Sequence, residues 1–244
     1  MRIFGLIGYP LSHSFSKKFF TEKFSREGLA ECSYENFPIA SVDELGRVLS
    51  TPGLEGLNIT IPYKEKVIPF LDYLSGTVKE TGACNCIRVQ DNKYYGYNTD
   101  VTGFELSLKR QWKPRHRKAL VLGTGGAAKA IWFVLEKMGI EYLSVSRTAG
   151  KDRVTYEQLT PAILKEYLLI INTTPLGMYP KVEEYPPLDY NAITGNHFLF
   201  DIIYNPEQTE FLKKGAARGA AVQNGQEMLE IQAEESWKIW NNLA

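Results

Sequence analysis

Four apolar residues, Ala119-Leu120-Val121-Leu122, lead directly into Gly123-Thr124-Gly125-Gly126-Ala127-Ala128. The pattern is Gly-x-Gly-x-x-Ala at the join of a predicted strand and a predicted helix, the context in which it holds a dinucleotide. Glycine permits a tight turn and close approach of backbone to a pyrophosphate, whose charge meets the free N–H groups at the helix start. A purely structural glycine turn is the bland alternative, and the strand–turn–helix context disfavours it. The next strand ends in Val145-Ser146-Arg147-Thr148. A site for NAD usually places Asp or Glu there, to bind a ribose hydroxyl. Arg147 instead offers a planar charged fork to a 2′-phosphate, with Ser146, Thr148 and Lys151 beside it. NADP is the expected cofactor.

Around this loop the chain alternates between strand and helix. Ile3 to Gly8 predicts a strand, and Phe15, Phe19, Phe20 and Phe24 recur at helical spacing until Gly28. Tyr34 to Pro38 predicts a second strand, Val42, Leu45, Val48 and Leu49 a helix, and Gly56 to Thr60 a third strand. Pro62 suits the first turn of a following helix, which would carry Lys64. Asp91-Asn92 reads as a hairpin turn between Cys86–Gln90 and Lys93–Tyr97. After the polar stretch from Gln111 to Lys118 the alternation restarts with strands at Ala119–Leu122, Tyr142–Ser146, Leu168–Asn172 and Phe198–Ile203. A long helix runs from Gln226. The pattern predicts an α/β fold of two domains, each built on a mostly parallel sheet, with room for an antiparallel edge in the first. Residues 1–101 with 226–244 would form one domain and residues 102–225 a Rossmann-type domain, the last helix returning to the first.

Composition narrows the function classes. The 244 residues are 44% hydrophobic and 23% charged, with 28 basic and 28 acidic side chains. A balanced charge attracts neither nucleic acid nor an anionic membrane, and no apolar run approaches the roughly 20 residues that span a bilayer. The start lacks a secretory-signal pattern. Cys32, Cys84 and Cys86 are too few and too closely spaced for a zinc pattern, and His13, His116 and His197 share no metal-like spacing. These features predict a cytoplasmic protein, monomer or homodimer, with a small-molecule substrate and no metal.

Several short clusters become specific when read together in order. They are Gly8-Tyr9-Pro10-Leu11-Ser12-His13-Ser14-Phe15-Ser16, Asn58-Ile59-Thr60-Ile61-Pro62-Tyr63-Lys64, Gly82-Ala83-Cys84-Asn85 and Gly96-Tyr97-Asn98-Thr99-Asp100. With the glycine loop, the run from Asn172 to Met178, Asp201 to Pro206 and Gln223 to Leu229, they resemble the shikimate dehydrogenase family over nearly the whole chain. The resemblance implies NADP-dependent, reversible reduction of 3-dehydroshikimate to shikimate, a step toward chorismate and the aromatic amino acids. It implies that Ser14 and Ser16 bind the substrate carboxylate, that Asn58, Thr60, Lys64, Asn85 and Asp100 surround the ring hydroxyls, and that Lys64 and Asp100 are the catalytic pair. Gln232 and Tyr204 would reach the substrate, Ile202 and Gly225 would lie near the nicotinamide, and Thr173 would join the cofactor site with Gly123, Thr124, Gly125, Gly126 and Ala127.

The chemistry of these residue types agrees. A polyhydroxylated ring acid needs fixed neutral donors and acceptors, which Ser, Thr, Asn and Gln supply. Alcohol oxidation releases a hydride to a cofactor and a proton to a side chain. Outside the family pattern, Lys64 would read as a solvated lysine, Asp100 as a helix N-cap, and Ser14 and Ser16 as caps of the helix carrying Phe19. The sequence departs from the family at Lys17-Lys18-Phe19-Phe20-Thr21, where Pro-x-x-His-Asn is usual, and at Cys86, Val101 and Ser146. Two alternatives stand beside this reading: a quinate or quinate/shikimate dehydrogenase, and a non-catalytic metabolite sensor, which has no need of a proton-transfer pair.

Overall fold

A strand covered on both faces must be apolar on both, and β1 (Arg2–Gly8) divides its side chains accordingly. The computed structural model describes residues 1–11 and 15–243. In it, Phe4 and Leu6 enter one core while Ile3 and Ile7 enter another on the opposite face, as period-two alternation requires. The first core receives Phe20 and Phe24 from α1 (Phe15–Glu27), together with Tyr34, Trp237 and Trp240. The second is filled by Leu45, Val48, Leu57, Ile59, Tyr63 and Val67.

The chain divides into two units, residues 1–102 with 232–244, and residues 103–231. In the first, β1 lies between β2 (Cys32–Pro38) and β3 (Leu54–Ile59), parallel to both. A turn of 3₁₀ helix, Val42–Glu44, runs into the short α2 (Leu45–Leu49). Beyond β3 come β4 (Tyr73–Leu74), α3 (Gly76–Thr81), β5 (Cys86–Gln90) and β6 (Lys93–Tyr97), and the sheet order is β2-β1-β3-β5-β6-β4. The β3–β5 and β5–β6 pairs are antiparallel while β4 pairs parallel with β6, so this sheet is mixed and its antiparallel part is interior rather than at an edge. Asp91 and Asn92, at φ 52° and 54°, make the expected hairpin turn.

The helix expected after Pro62 does not form. Residues 61–62 and 64–67 are turns, followed by a 3₁₀ turn at Ile68–Phe70. In an α-helix the Lys64 carbonyl would accept from the Ile68 N–H. Here it accepts from the Cys84 N–H at 2.8 Å, and Ile68 turns back to Glu65. A distant loop, the one leading into β5, has captured the acceptor that a local helix needed.

The helix α4 (Thr99–Lys109) follows β6, and the second unit builds a separate sheet. Its elements are β7 (Lys118–Leu122), α5 (Gly126–Lys137), β8 (Glu141–Ser146), β9 (Arg153–Thr155), α6 (Pro161–Glu166), β10 (Leu169–Asn172), β11 (Phe198–Asp201), α7 (Glu210–Ala216) and β12 (Ala221–Gln223). All its strands are parallel, in the order β12-β11-β10-β7-β8-β9. That is the doubly wound dinucleotide-binding order, which reverses direction between β7 and β10 and opens a crevice at their carboxyl ends. The last helix, α8 (Gln226–Trp240), begins in the second unit and ends in the first.

Trp240 anchors that end of α8. It stacks on Phe4 with ring centroids 4.9 Å apart, and its indole N–H donates to the Ile87 carbonyl at 3.0 Å. Trp240→Ala therefore removes a buried aromatic and a donor to a β5 carbonyl. Urea unfolding followed by circular dichroism should show a loss of about 3–5 kcal/mol.

Candidate active site

Lys64 and Asp100 are 36 positions apart in sequence, yet the Lys64 amine donates to Asp100 Oδ2 at 2.6 Å. Their side chains are 18% and 11% exposed, shielded enough to strengthen the pairing but still open to a ligand. Each partner is set from its backbone. The Cys84 N–H fixes the Lys64 carbonyl, and buried Tyr63 donates its hydroxyl to the Ile39 carbonyl at 2.6 Å. On the other side, the Thr99 N–H donates to Asn85 Oδ1 at 2.6 Å, so the Asn85 side chain caps the start of α4. Asp100 is thus not the N-cap: it lies within the first turn, and its carboxylate is turned to Lys64 and to the Asn85 amide, 2.9 Å from Oδ1.

The pair stands at one end of a buried polar network. Asn85 also donates to Thr99 Oγ1 at 3.0 Å and, more weakly, to Gln232 Oε1 at 3.4 Å. Asn58 donates to Ser236 Oγ at 2.9 Å and accepts from the Tyr34 hydroxyl at 2.8 Å. Ser16 is hydrogen-bonded to that same hydroxyl, and burial holds the Tyr34 phenol well above its usual range, so it stays a neutral donor. Ser16 sits inside α1 rather than capping it. The structure thus brings Ser16, Asn58, Asn85, Lys64, Asp100 and Gln232 into one connected group. Thr60, just past the end of β3, is held by its N–H donating to the Ile7 carbonyl at 2.9 Å. Ser14 lies outside the described residues. Tyr204 belongs to the second unit, where burial raises its phenol. Burial also pushes the Cys84 thiol up to about 12 and the Cys86 thiol higher still, which keeps both protonated and unreactive.

In the second unit, Gly123 of the glycine loop meets Thr173 at the topological switch point between β7 and β10, and the remaining residues expected to hold a dinucleotide outside that loop stand at or after the ends of β8, β11 and β12. Gly123 has φ 107°, a conformation that L side chains avoid, and an added Cβ would stand 2.5 Å from Thr173 Oγ1. Thr173 is fixed by its hydroxyl and its N–H, which donate to the Leu122 carbonyl at 2.7 and 2.8 Å. Gly125 precedes α5 in extended conformation with open space where a Cβ would be, and α5 has no side-chain cap. The N–H groups of Gly126 and Ala127 therefore begin a helix without a protein side chain to receive them, and Thr124 sits half-buried in the same turn. At the end of β8, Ser146 Oγ accepts from the Thr148 N–H at 3.4 Å, while Arg147, Thr148 and Lys151 are exposed. After β11, Gly225 packs against Ile202 so closely that a Cβ would lie 2.0 Å from the Ile202 carbonyl oxygen. These residues fit a phosphorylated dinucleotide: an anion-ready helix start, a backbone that can be approached, and exposed cations at the far end.

Sequence reasoning missed Tyr34, Thr99 and Ser236 as members of the first network. Ser236 lies four residues beyond Gln232 and so on the same helical face, a signal that was present. It also gave no role to Asp201, which is fully buried at the end of β11. Asp201 accepts from Thr209 Oγ1 at 2.6 Å, the Ile203 N–H at 3.0 Å and Asn172 Nδ2 at 3.1 Å. The clasp joins the loops after β10 and β11.

Comparison with known proteins gives a consistent result. A family model described as the shikimate dehydrogenase substrate binding domain matches residues 6–87. A Clostridium beijerinckii protein named shikimate dehydrogenase (NADP(+)) is 42% identical over 98% of this chain and 92% of its own length. The crystal structure of shikimate dehydrogenase 1 from Peptoclostridium difficile covers all of the chain and 93% of its own, at 37% identity and TM-score 0.86. That of shikimate 5-dehydrogenase from Thermus thermophilus, in complex with NADP(H) and shikimate, covers 100% of the chain and 94% of its own at 29% identity and TM-score 0.88.

Burial raises the Asp201 carboxyl from its usual 3.8 to about 7, outweighing the three donors that pull it down. Between about pH 4 and pH 7 the folded protein therefore keeps a proton that the unfolded chain releases, and stability falls as pH rises through that window. Urea midpoints across the window should show this slope, and Asp201→Asn should flatten it.

Proposed function

Because the chain belongs to the shikimate dehydrogenase family, we propose that it catalyses the NADP-dependent, reversible reduction of 3-dehydroshikimate to shikimate, with Lys64 and Asp100 at the reacting carbon. The observation that carries the residue assignment is the Lys64–Asp100 contact at 2.6 Å within a network of neutral donors and acceptors. Full-length relatives at 34–42% identity carry the same NADP-specific name, which supports both the substrate and the cofactor. The first unit, holding the pair and the stretch matched by the substrate-binding model, is the substrate-binding part. The second, with its dinucleotide-binding strand order, is the NADP-binding part. Three free cysteines, two of them buried, suit a reducing cytoplasm. Among the described residues no helix is long and apolar enough to cross a membrane. We expect a monomer or a homodimer.

NADP, when bound, supplies or accepts the hydride. This chain's residues manage the proton and the pose. Lys64 holds a proton at the carbonyl or hydroxyl oxygen, while Asp100 orients the amine and accepts from the reacting hydroxyl. At 2.6 Å from the carboxylate, the amine hands over or takes up its proton in contact with Asp100 rather than alone. Asn85 fixes the second Asp100 oxygen, so the carboxylate cannot rotate away from Lys64. Asn58, Thr60 and Asn85 meet the ring hydroxyls, Gln232 reaches the substrate from α8, the family resemblance puts Tyr204 at its edge, and Ser14 and Ser16 meet the carboxylate. Gly123, Thr124, Gly125, Gly126, Ala127 and Thr173 take the pyrophosphate end, Ser146, Arg147, Thr148 and Lys151 the 2′-phosphate, and Ile202 and Gly225 the nicotinamide end.

NADPH consumption with 3-dehydroshikimate tests the function, with quinate and NAD as comparison substrate and cofactor. Lys64→Ala should lower turnover by about 10²–10⁴-fold while shikimate still binds; turnover at the wild-type rate would overturn the role given to Lys64. Arg147→Ala should raise KM for NADP by about 10–100-fold, the loss of a charge-assisted hydrogen bond, with little change for NAD.

A further inference from the structure

Ser236 is fully buried on α8, and its hydroxyl is the meeting point of two strong side-chain donors from different elements, with the Cys86 thiol of β5 as a weaker third contact. Asn58, on β3, donates to Ser236 Oγ at 2.9 Å. Thr99, at the start of α4, lies 3.2 Å from the same oxygen through its hydroxyl. Ser236 has one proton to give, and the Gln232 carbonyl takes it at 2.9 Å, one helical turn back. With that proton committed, Ser236 Oγ faces Asn58 and Thr99 as an acceptor, and its two lone pairs match the two donors.

This accounting fixes directions. Asn58 must present its amide nitrogen to Ser236, which agrees with the Tyr34 hydroxyl donating to Asn58 Oδ1 on the other side. Thr99 must point its hydroxyl proton toward Ser236, leaving its lone pairs for the Asn85 amide at 3.0 Å. That amide's other proton goes to Asp100 Oδ1. A single acceptor on α8 thereby orders donors along a chain that ends on the carboxylate paired with Lys64.

We propose that Ser236 is a positioning residue for the reaction: its hydroxyl oxygen sets the orientation of the Asn58 amide and the Thr99 hydroxyl, and through Thr99 the hold of Asn85 on Asp100. The inference rests on the placement of Asn58, Asn85 and Asp100 in the substrate site under Proposed function. Without the oxygen, Asn58 keeps a buried N–H with only the longer contact to the Asn85 carbonyl at 3.4 Å. The Thr99 hydroxyl is then drawn to the competing acceptors, Asn85 Oδ1 at 3.2 Å and Gln232 Oε1 at 3.4 Å. The Asn85 amide loses its fixed partner, and the ring meets mis-set hydrogen bonds.

The test is Ser236→Ala in the full chain, which removes the acceptor and little volume. KM for shikimate should rise about five- to thirtyfold, the cost of an unpaired buried donor, with a smaller fall in kcat and an unchanged KM for NADP. Thr99→Val should give a similar shift, and the double variant little more than either alone, because both break one chain of bonds. Side-chain amide signals of Asn58 and Asn85, followed by nitrogen-15 NMR without substrate, should shift and exchange faster in Ser236→Ala. Unchanged shikimate kinetics would overturn the proposal, as would a loss of kcat and of both KM values in step with a lower Tm, which marks a merely structural serine. If the wild type shows no turnover, the functional reading fails on its own, and the amide signals still decide: unchanged in Ser236→Ala, they remove the positioning role.

Discussion

An amine and a carboxylate 2.6 Å apart and mostly shielded from water are stable only as a pair, since removing either leaves a poorly solvated charge. Neither is placed by its own neighbours in sequence. Lys64 is held because a strand-side amide at Cys84 takes its carbonyl, and Asp100 because Asn85 caps the helix it opens. Cys84 and Asn85 adjoin in sequence, so one short segment fixes both members of the pair. Most of the first unit's architecture is the scaffolding for that segment: β3, β5 and β6 pair around it, and α8 closes over it with Gln232 and Ser236.

The second unit repeats the same economy in another form. Its functional candidates stand at carboxyl ends of parallel strands: Gly123 after β7, Ser146 and Arg147 at β8, Thr173 after β10 and Ile202 after β11. Parallel strands with their helices crossing on the faces leave those ends open while the sheet itself is sealed on both sides. At two of the glycines among them, Gly123 and Gly225, Thr173 and the Ile202 carbonyl come too close to admit a Cβ.

Local chemistry was legible in the sequence and long-range chemistry was not. The glycine loop, the Asp91-Asn92 hairpin and the end of α1 before Gly28 follow from rules that act over a few residues, and they stand where the sequence puts them. The helix after Pro62 failed because an acceptor it needed was claimed from Cys84, 20 positions away. Asp100 and Ser16 looked like caps for the same reason: each has a stronger partner far along the chain, Lys64 for one and Tyr34 for the other. The two sheets and the β5–β6 hairpin were foreseen, but not the antiparallel β3–β5 pair that sets this part inside the first sheet rather than at its edge. The family resemblance supplied the distant pairings that spacing alone could not, while Ser236 and Asp201 lay outside its quoted roles.

The seams between the units run through helices rather than loops. One falls after Thr102, within α4, and the other after Ile231, within α8. A gene crossover at either seam would splice two half-helices, and a truncation there would strand N–H and C=O groups that the intact helix satisfies. The first half would also arrive without the turns that carry Gln232 and Trp240, which its own network and core use. Exchanging one half of such a polypeptide for another's would mean rebuilding a helix across each joint, unlike beads on a string.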